Sequence, residues 1–220
     1  MKIGMIGAGF IARAVAQRVL AAGHEAMLSN SRGPKTLTSL VAGIRGTQTG
    51  TVEEAAAFGD IVLVAIPFEH YRRIPADVLK GKIVLDANNY YPERDGRIEE
   101  LDRFETTTSR LLAEHLPEST IVKVFNAILA NDLLTDGRPH GAPDRRALPI
   151  AGDDLAAKQR VADLLDQIGF DSLDGGGLDE SWRFERAKPA YCVPLDRDGL
   201  KQALAEAQRD VELEQGSWRH

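Results

Sequence analysis

Cysteine is nearly absent from this sequence of 220 residues: Cys192 stands alone, so no disulfide can form within the chain. A single thiol of this kind commonly serves as a small buried hydrophobe. The five histidines, His24, His70, His115, His140 and His220, are scattered without ligand spacing or a cysteine partner, which argues against a metal centre. Long apolar runs are missing as well. The longest strongly apolar stretch, IVLVAIP at 61–67, falls far short of the roughly 20 residues that a bilayer-crossing helix needs, so no membrane is expected as a partner. Clustered Lys and Arg are also lacking in a chain of net charge −6. Nucleic acid is therefore not an expected partner, because neutralising its phosphates requires such clusters. The first strand pattern begins near Lys2 and leaves no room for a signal peptide, so the expected location is the cytoplasm.

Short apolar runs do occur, and they alternate with helical patterns. Strands are expected near 2–6, 26–29, 45–48, 61–66, 82–86, 121–125, 147–151 and 169–173. Helices are expected at 10–22, 34–43, 52–58, 106–115, 128–135, 154–168 and 198–209. IVLVAIP and KIVLDANN are unbroken rather than alternating, as strands are when helices cover both faces of a parallel sheet. The alternation predicts an α/β fold with a doubly wound, mostly parallel sheet and helices on both faces. Asp153 and Asp154 stand where an acid would cap the next helix, and Gly23 and Gly169 stand where helices end. GRPHGAPDRR at 137–146 has the composition of a surface loop.

DGGGLDE at 174–180 reads as the exit from the sheet. It divides the chain into a main domain over 1–176 and a small extension over 177–220. The extension is too small to fold alone and should lie against the main domain or a partner subunit. Its apolar positions Leu200, Leu204, Val211 and Leu213 need cover, which leads us to expect a homodimer.

The glycine turn near the start carries the first functional signal. Gly7-x-Gly9-x-x-Ala12 follows a strand and opens a helix, as in the Rossmann-type dinucleotide fingerprint. Gly7 permits the tight turn, Gly9 lets the main chain approach a pyrophosphate, and Ala12 allows close helix–strand packing. Ala8 lies between the two glycines. The amides of Phe10 and Ile11 then face the phosphates at the positive end of the helix dipole.

A further absence bears on which dinucleotide binds. NAD-preferring sites place Asp or Glu at the end of the second strand. Here no acid occurs between Glu25 and Glu53, and the interval holds Ser29, Asn30, Ser31, Arg32, Lys35 and Arg45. Serine hydroxyls can donate to a phosphate, and arginine can fork onto two of its oxygens. The pattern points to NADP. A solvated Arg32, and Ser31 as the cap of the helix that follows, are the plain structural alternatives.

The carboxyl ends of the later strands should form the cleft. They present Ala65, Ile66 and Pro67, then Asn88 and Asn89, then Asn126 and Ala127. Ile66 and Pro67 would press on a nicotinamide face, and Asn88, Asn89 and Asn126 would bond its carboxamide or the substrate.

IGAGFIARAVAQRVLAAGHEAMLSNSRGPKTL, LVAIPFEHY, DANNYYP, KVFNAI and GFDSLDGGGLDESWRFE together resemble the F420-dependent NADP reductase family, in order and over nearly the whole chain. The resemblance implies one Rossmann domain with a small C-terminal extension. It also implies NADP as cofactor, and hydride passed between the nicotinamide and a deazaflavin as the small-molecule acceptor. On matching positions it implies phosphate contacts from Ser31, Arg32 and Lys35, and places Ile66, Pro67, Asn88 and Ala127 along the cofactor. The N-terminal unit is also similar to pyrroline-5-carboxylate reductase and to the cytosolic domain of ferric metalloreductases. The former needs a longer helical domain, and the latter continues into membrane helices.

The chain departs from the reductase pattern at Asn126, where deazaflavin-using members can carry His, and at Leu129, where they carry Pro. Flavin, quinone and imine acceptors therefore stay open. Hydride transfer to a flat acceptor needs stacking, alignment and exclusion of water more than a protein acid. Pro67, Asn88 and Asn126 are the expected positioning residues. His70 is the candidate acid for any substrate that needs a proton. Arg183, Arg186 and Lys188 are candidates for an anionic substrate tail. A non-catalytic module that senses NADP(H) is the alternative of a different class.

Overall fold

The computed structural model describes residues 1–214. Eight strands form one sheet: β1 (Lys2–Ile6), β2 (Glu25–Ser29), β3 (Gln48–Gly50), β4 (Ile61–Val64), β5 (Ile83–Asp86), β6 (Thr120–Lys123), β7 (Ala147–Gly152) and β8 (Asp171–Asp174). Their order is β3-β2-β1-β4-β5-β6-β7-β8. The first six pair in parallel, β7 runs antiparallel to β6, and β8 is parallel to β7. The helices are α1 (Phe10–Ala21), α2 (Thr38–Val41), α3 (Val52–Phe58), α4 (Pro92–Asp95), α5 (Glu99–Asp102), α6 (Thr108–His115), α7 (Ala130–Thr135), α8 (Leu155–Gln167) and α9 (Arg197–Glu206). This is the doubly wound Rossmann architecture that the sequence pattern predicts. Strand order reverses between β1 and β4, and the crevice beyond those two carboxyl ends is where a ligand belongs.

The unbroken apolar strands follow from burial on both faces. Ile61 and Leu63 of β4 enter a core shared with α1 and α8. Val62 and Val64 enter a separate core shared with α6. Successive side chains point to opposite faces, so a strand covered on both sides has no polar phase.

Some elements differ from expectation. The 34–43 segment is a 3₁₀ turn, Pro34–Leu37, followed by the single turn of α2, with Gly33 at a φ of 86° ahead of Pro34. β3 starts at Gln48 rather than 45, because the Ile44 amide bonds back to Val41 and the Thr47 amide bonds back to Ile44. α4, α5 and the 3₁₀ turns Phe68–Arg73 and Leu178–Phe184 are short and polar, and no periodic pattern announced them. Asp154 caps α8 by accepting the Ala157 amide at 2.7 Å. Asp153 does not cap; it accepts the Leu178 amide at 2.9 Å and pairs with Arg110, tying the extension to the start of α8.

The extension folds back over the sheet rather than standing free. Leu200 and Leu204 of α9 pack with Phe184 and Tyr191 against Ala147 and Ala151 of β7. The chain's own sheet therefore covers two of the four positions on which the homodimer expectation rested, while Val211 and Leu213 are exposed.

The carboxyl ends of β5 and β6 are joined by a charged network. Asp86 and Lys123 are in register, and both side chains are fully buried 3.3 Å apart. Lys123 Nζ also donates to the Asn88 carbonyl at 2.7 Å and to Thr108 Oγ1 at 2.6 Å, so all three of its hydrogens are used. Asp86 accepts from Ser109 Oγ at 2.6 Å and from the Asn88 amide at 2.9 Å. Glu185 of the extension accepts from the Thr108 amide at 3.0 Å. Lys123→Met leaves Asp86 buried and unpaired, and is expected to cost about 3–5 kcal/mol of unfolding free energy. Denaturant titration followed by circular dichroism checks this, with Lys123→Met/Asp86→Leu expected to recover much of the loss.

Candidate active site

Beyond β1 the chain turns at Gly7, whose φ is 114° and whose Cβ, were there one, would collide with the Ala65 carbonyl oxygen. Only glycine meets both conditions. Gly9 then caps α1 without a side-chain hydrogen bond. By contrast α3, α6, α8 and α9 are capped by Thr51, Thr107, Asp154 and Asp196. The amides of Phe10, Ile11 and Ala12 find no acceptor among the described residues. A Cβ at Gly9 would meet nothing within 4 Å. The fold does not require glycine at that position; its absent side chain leaves open the space before three unused donors at a positive helix end.

That space belongs to a cavity of about 280 Å³. Its walls are Gly7, Ala8 and Gly9 after β1, Asn30, Ser31 and Arg32 after β2, and Ala65, Ile66, Pro67 and His70 after β4. Val52 at the start of α3 adds to them, as do Arg73, Ile74 and Pro75. No carboxylate lines the cavity. Asn30 shapes the β2 wall: its Oδ1 accepts the Arg32 amide at 3.0 Å and its Nδ2 donates to Thr36 Oγ1 at 2.9 Å. The turn leaves Ser31 and Arg32 exposed at the rim, and Ser31 caps no helix.

Several expected site residues lie elsewhere. Ser29 is fully buried and its hydroxyl donates to the Met5 carbonyl at 2.8 Å, so it is spent inside the sheet. Lys35 is exposed outside the cavity walls. The Phe10 ring lines a different cleft, with the Arg13 guanidinium 4.9 Å from its centroid; only its main chain faces the glycine turn. Ile11 is half-buried against the main core.

Asn126 does not reach the cavity. Its Nδ2 bridges Asn89 Oδ1 at 3.1 Å and the Phe184 carbonyl at 2.9 Å. Ala127 is packed beneath the extension, and its carbonyl accepts the Cys192 amide at 3.2 Å. The physical reason is the same for both: the extension lies over the end of β6 and occupies that part of the expected cleft. Asn88 is buried behind the wall, where its Oδ1 accepts the Ile66 amide at 2.9 Å. Its Nδ2 has no partner among the described residues. Asn88 thus fixes the Ile66–Pro67 wall and keeps one donor in reserve.

His70 sits in the cavity wall, with its amide bonded to the Pro67 carbonyl at 3.0 Å and a buried Nδ1 that has no partner among the described residues. The tyrosines that follow Asn89 are engaged in structure. Tyr90 donates to Asp102 at 2.9 Å, and the Tyr91 and Tyr191 hydroxyls bond each other. Burial pushes the Tyr191 phenol far above its ordinary range, so it stays protonated. Of the cations considered for a substrate tail, Arg183 pairs with Glu180 at 2.7 Å. Lys188 donates to the Gln208, Arg209 and Val211 carbonyls, and burial lowers its pKa. Arg186 and Lys188 both line a separate cavity beside Trp182, and Arg183 lines another beside α9; none of the three reaches the cavity at the glycine turn.

Sequence reasoning missed Arg73 and the Asp86–Lys123 pair. For the pair a signal existed: opposite charges closing two otherwise apolar strands. For Arg73 the only hint was a cation shortly after the IVLVAIP strand.

Residues 2–90 match the family described as NADP oxidoreductase coenzyme F420-dependent. The chain is 32% identical over 199 residues to the metalloreductase STEAP3 of Rattus norvegicus, a match covering 88% of this chain and 38% of that protein's length. Among solved structures it is similar to hypothetical protein SMa0349 from Sinorhizobium meliloti, with a TM-score of 0.71, 30% identity and coverage of 82% of this chain and 87% of that one. A structure from Arthrobacter sp. FB24, described as an F420-dependent NADP reductase, shares the fold with a TM-score of 0.70 at 24% identity, covering 81% of this chain and 86% of that one.

The two glycines should separate fold from binding. Gly7→Ala is expected to lower the thermal midpoint sharply. Gly9→Ala should cost no more than about 1 kcal/mol of stability. Its affinity for dinucleotides, read by calorimetric titration, should nevertheless fall about tenfold or more, because a methyl group then stands before the α1 amides.

Proposed function

Because residues 2–90 match the coenzyme F420-dependent NADP oxidoreductase family, we propose that the chain transfers a hydride between NADP(H) and a small planar acceptor of the deazaflavin type. The observation that carries the reading is a single cavity that joins an uncapped helix N-terminus to an arginine-bearing, carboxylate-free rim. The residues present fit the cofactor at three points: the space left open at Gly9, the unused α1 amides, and the unpartnered Nδ2 of Asn88.

When bound, the nicotinamide supplies or receives the hydride. The chain's own groups bind and orient. The amides at the start of α1 hold the pyrophosphate. Ser31 and Arg32 hold the 2′-phosphate, each charge-assisted hydrogen bond adding about 1.5–3 kcal/mol, which is tenfold or more in preference over the unphosphorylated dinucleotide. Ile66 and Pro67, fixed through Asn88 Oδ1, form an apolar wall that excludes water from one ring face. His70 is the one imidazole in the wall, and its Nδ1 can hold a proton for an acceptor that needs one. A deazaflavin, flavin or quinone takes its proton from solvent instead. The likeness to the metalloreductase supports the nicotinamide half alone, since the chain spans 38% of that protein's length.

Loss of the NADPH absorbance band on adding deazaflavin, with flavin and quinone as parallel acceptors, tests the reading. Oxidation with the deazaflavin is expected. Tight NADPH binding without oxidation by any acceptor would replace the enzyme with a nucleotide sensor. Arg32→Ala should raise the KM for NADPH about tenfold or more and leave that for NADH within about twofold, measured by initial rates.

A further inference from the structure

Building on the NADP reading of this cavity, we propose that Arg73 is a second specificity-determining residue, which faces Arg32 across the adenosine end and closes on the 2′-phosphate. Arg32 follows β2 and Arg73 follows β4, and these two strands flank β1. The two guanidinium-bearing segments therefore rise on either side of the glycine turn, and both line the same cavity. No carboxylate lines it, and neither arginine side chain has an ion-pair partner among the described residues. Two unneutralised cations in one wall set match a dianion rather than a neutral ribose. The α1 amides already serve the pyrophosphate, which leaves the arginines for the remaining phosphate.

Arg73 is also rigidly mounted. It ends the 3₁₀ turn Phe68–Arg73, between the buried residues Tyr71 and Ile74. The Phe68 and Tyr71 rings stack at 4.6 Å, and the Ile74 amide bonds to the Tyr71 carbonyl at 3.2 Å. Its neighbour Arg72 is committed elsewhere, donating to the Tyr71 hydroxyl at 2.9 Å. Anchors on both sides limit the freedom that Arg73 must lose on meeting a phosphate.

Calorimetric titration of wild type, Arg73→Gln and Arg72→Gln with NADPH and NADH tests the assignment. Arg73→Gln is expected to weaken NADPH about tenfold or more while NADH shifts less than about threefold, with Arg72→Gln close to wild type for both. Unchanged NADPH affinity in Arg73→Gln overturns the assignment, and so does an equal loss for NADPH and NADH, which would mean contact with the adenine instead. Neither result touches the NADP reading. That reading fails on a different observation: wild-type protein binding NADH as tightly as NADPH.

Discussion

The buried contact between Asp86 and Lys123 is the constraint on which the rest of this carboxyl edge is built. Two opposite charges with no solvent access sit in register on adjacent strands, and each is saturated by hydrogen bonds from its surroundings. Burying such a pair is not in itself stabilising relative to apolar residues, because desolvation opposes the Coulomb attraction. Its consequence is positional. Lys123 grips the Asn88 carbonyl, Asp86 grips the Asn88 amide, and Asn88 in turn holds the Ile66 amide. A chain of short contacts thus runs from the buried pair to the apolar wall of the cavity. Through Thr108 and Glu185 the same network clasps the extension, whose position closes off the end of β6.

A different kind of constraint shapes the opposite wall. At the glycine turn the useful property is what remains unsatisfied. Four other helices spend a side chain on their first turn, and α1 does not. Unused amides at a helix start are costly to leave dry, and they become favourable only when an anion or water meets them. Gly9, Asn30 and the acid-free rim are arranged around that demand, so stability and binding are balanced at the same few atoms.

Between these walls the cavity offers apolar surface, amides and guanidinium groups, with the single imidazole of His70 beside them. Such a lining suits a reaction in which alignment and dryness matter more than proton transfer. The fold is shared by many oxidoreductases with unlike substrates, so the chemistry is legible in the side chains at this edge rather than in the sheet that bears them.

Much of this was readable from residue order alone. Apolar runs without a polar phase imply a sheet covered on both faces, Gly7 and Gly9 imply a turn before a helix, and the acid-free interval after β2 implies a cavity rim without a carboxylate; each of these depends on local periodicity or on a residue's own chemistry. The displacement of Asn126 and Ala127, the burial of the Ser29 hydroxyl and the arrival of Arg73 at the cavity were not readable in that way. Whether a side chain at a strand end meets the cleft or is buried depends on what folds over it, and here a segment some sixty residues further along covers the end of β6. Local pattern sets which elements form and how the chain enters its ligand site. Only contacts between distant segments decide which candidate groups stay open to a ligand, because burial is a property of the packed whole.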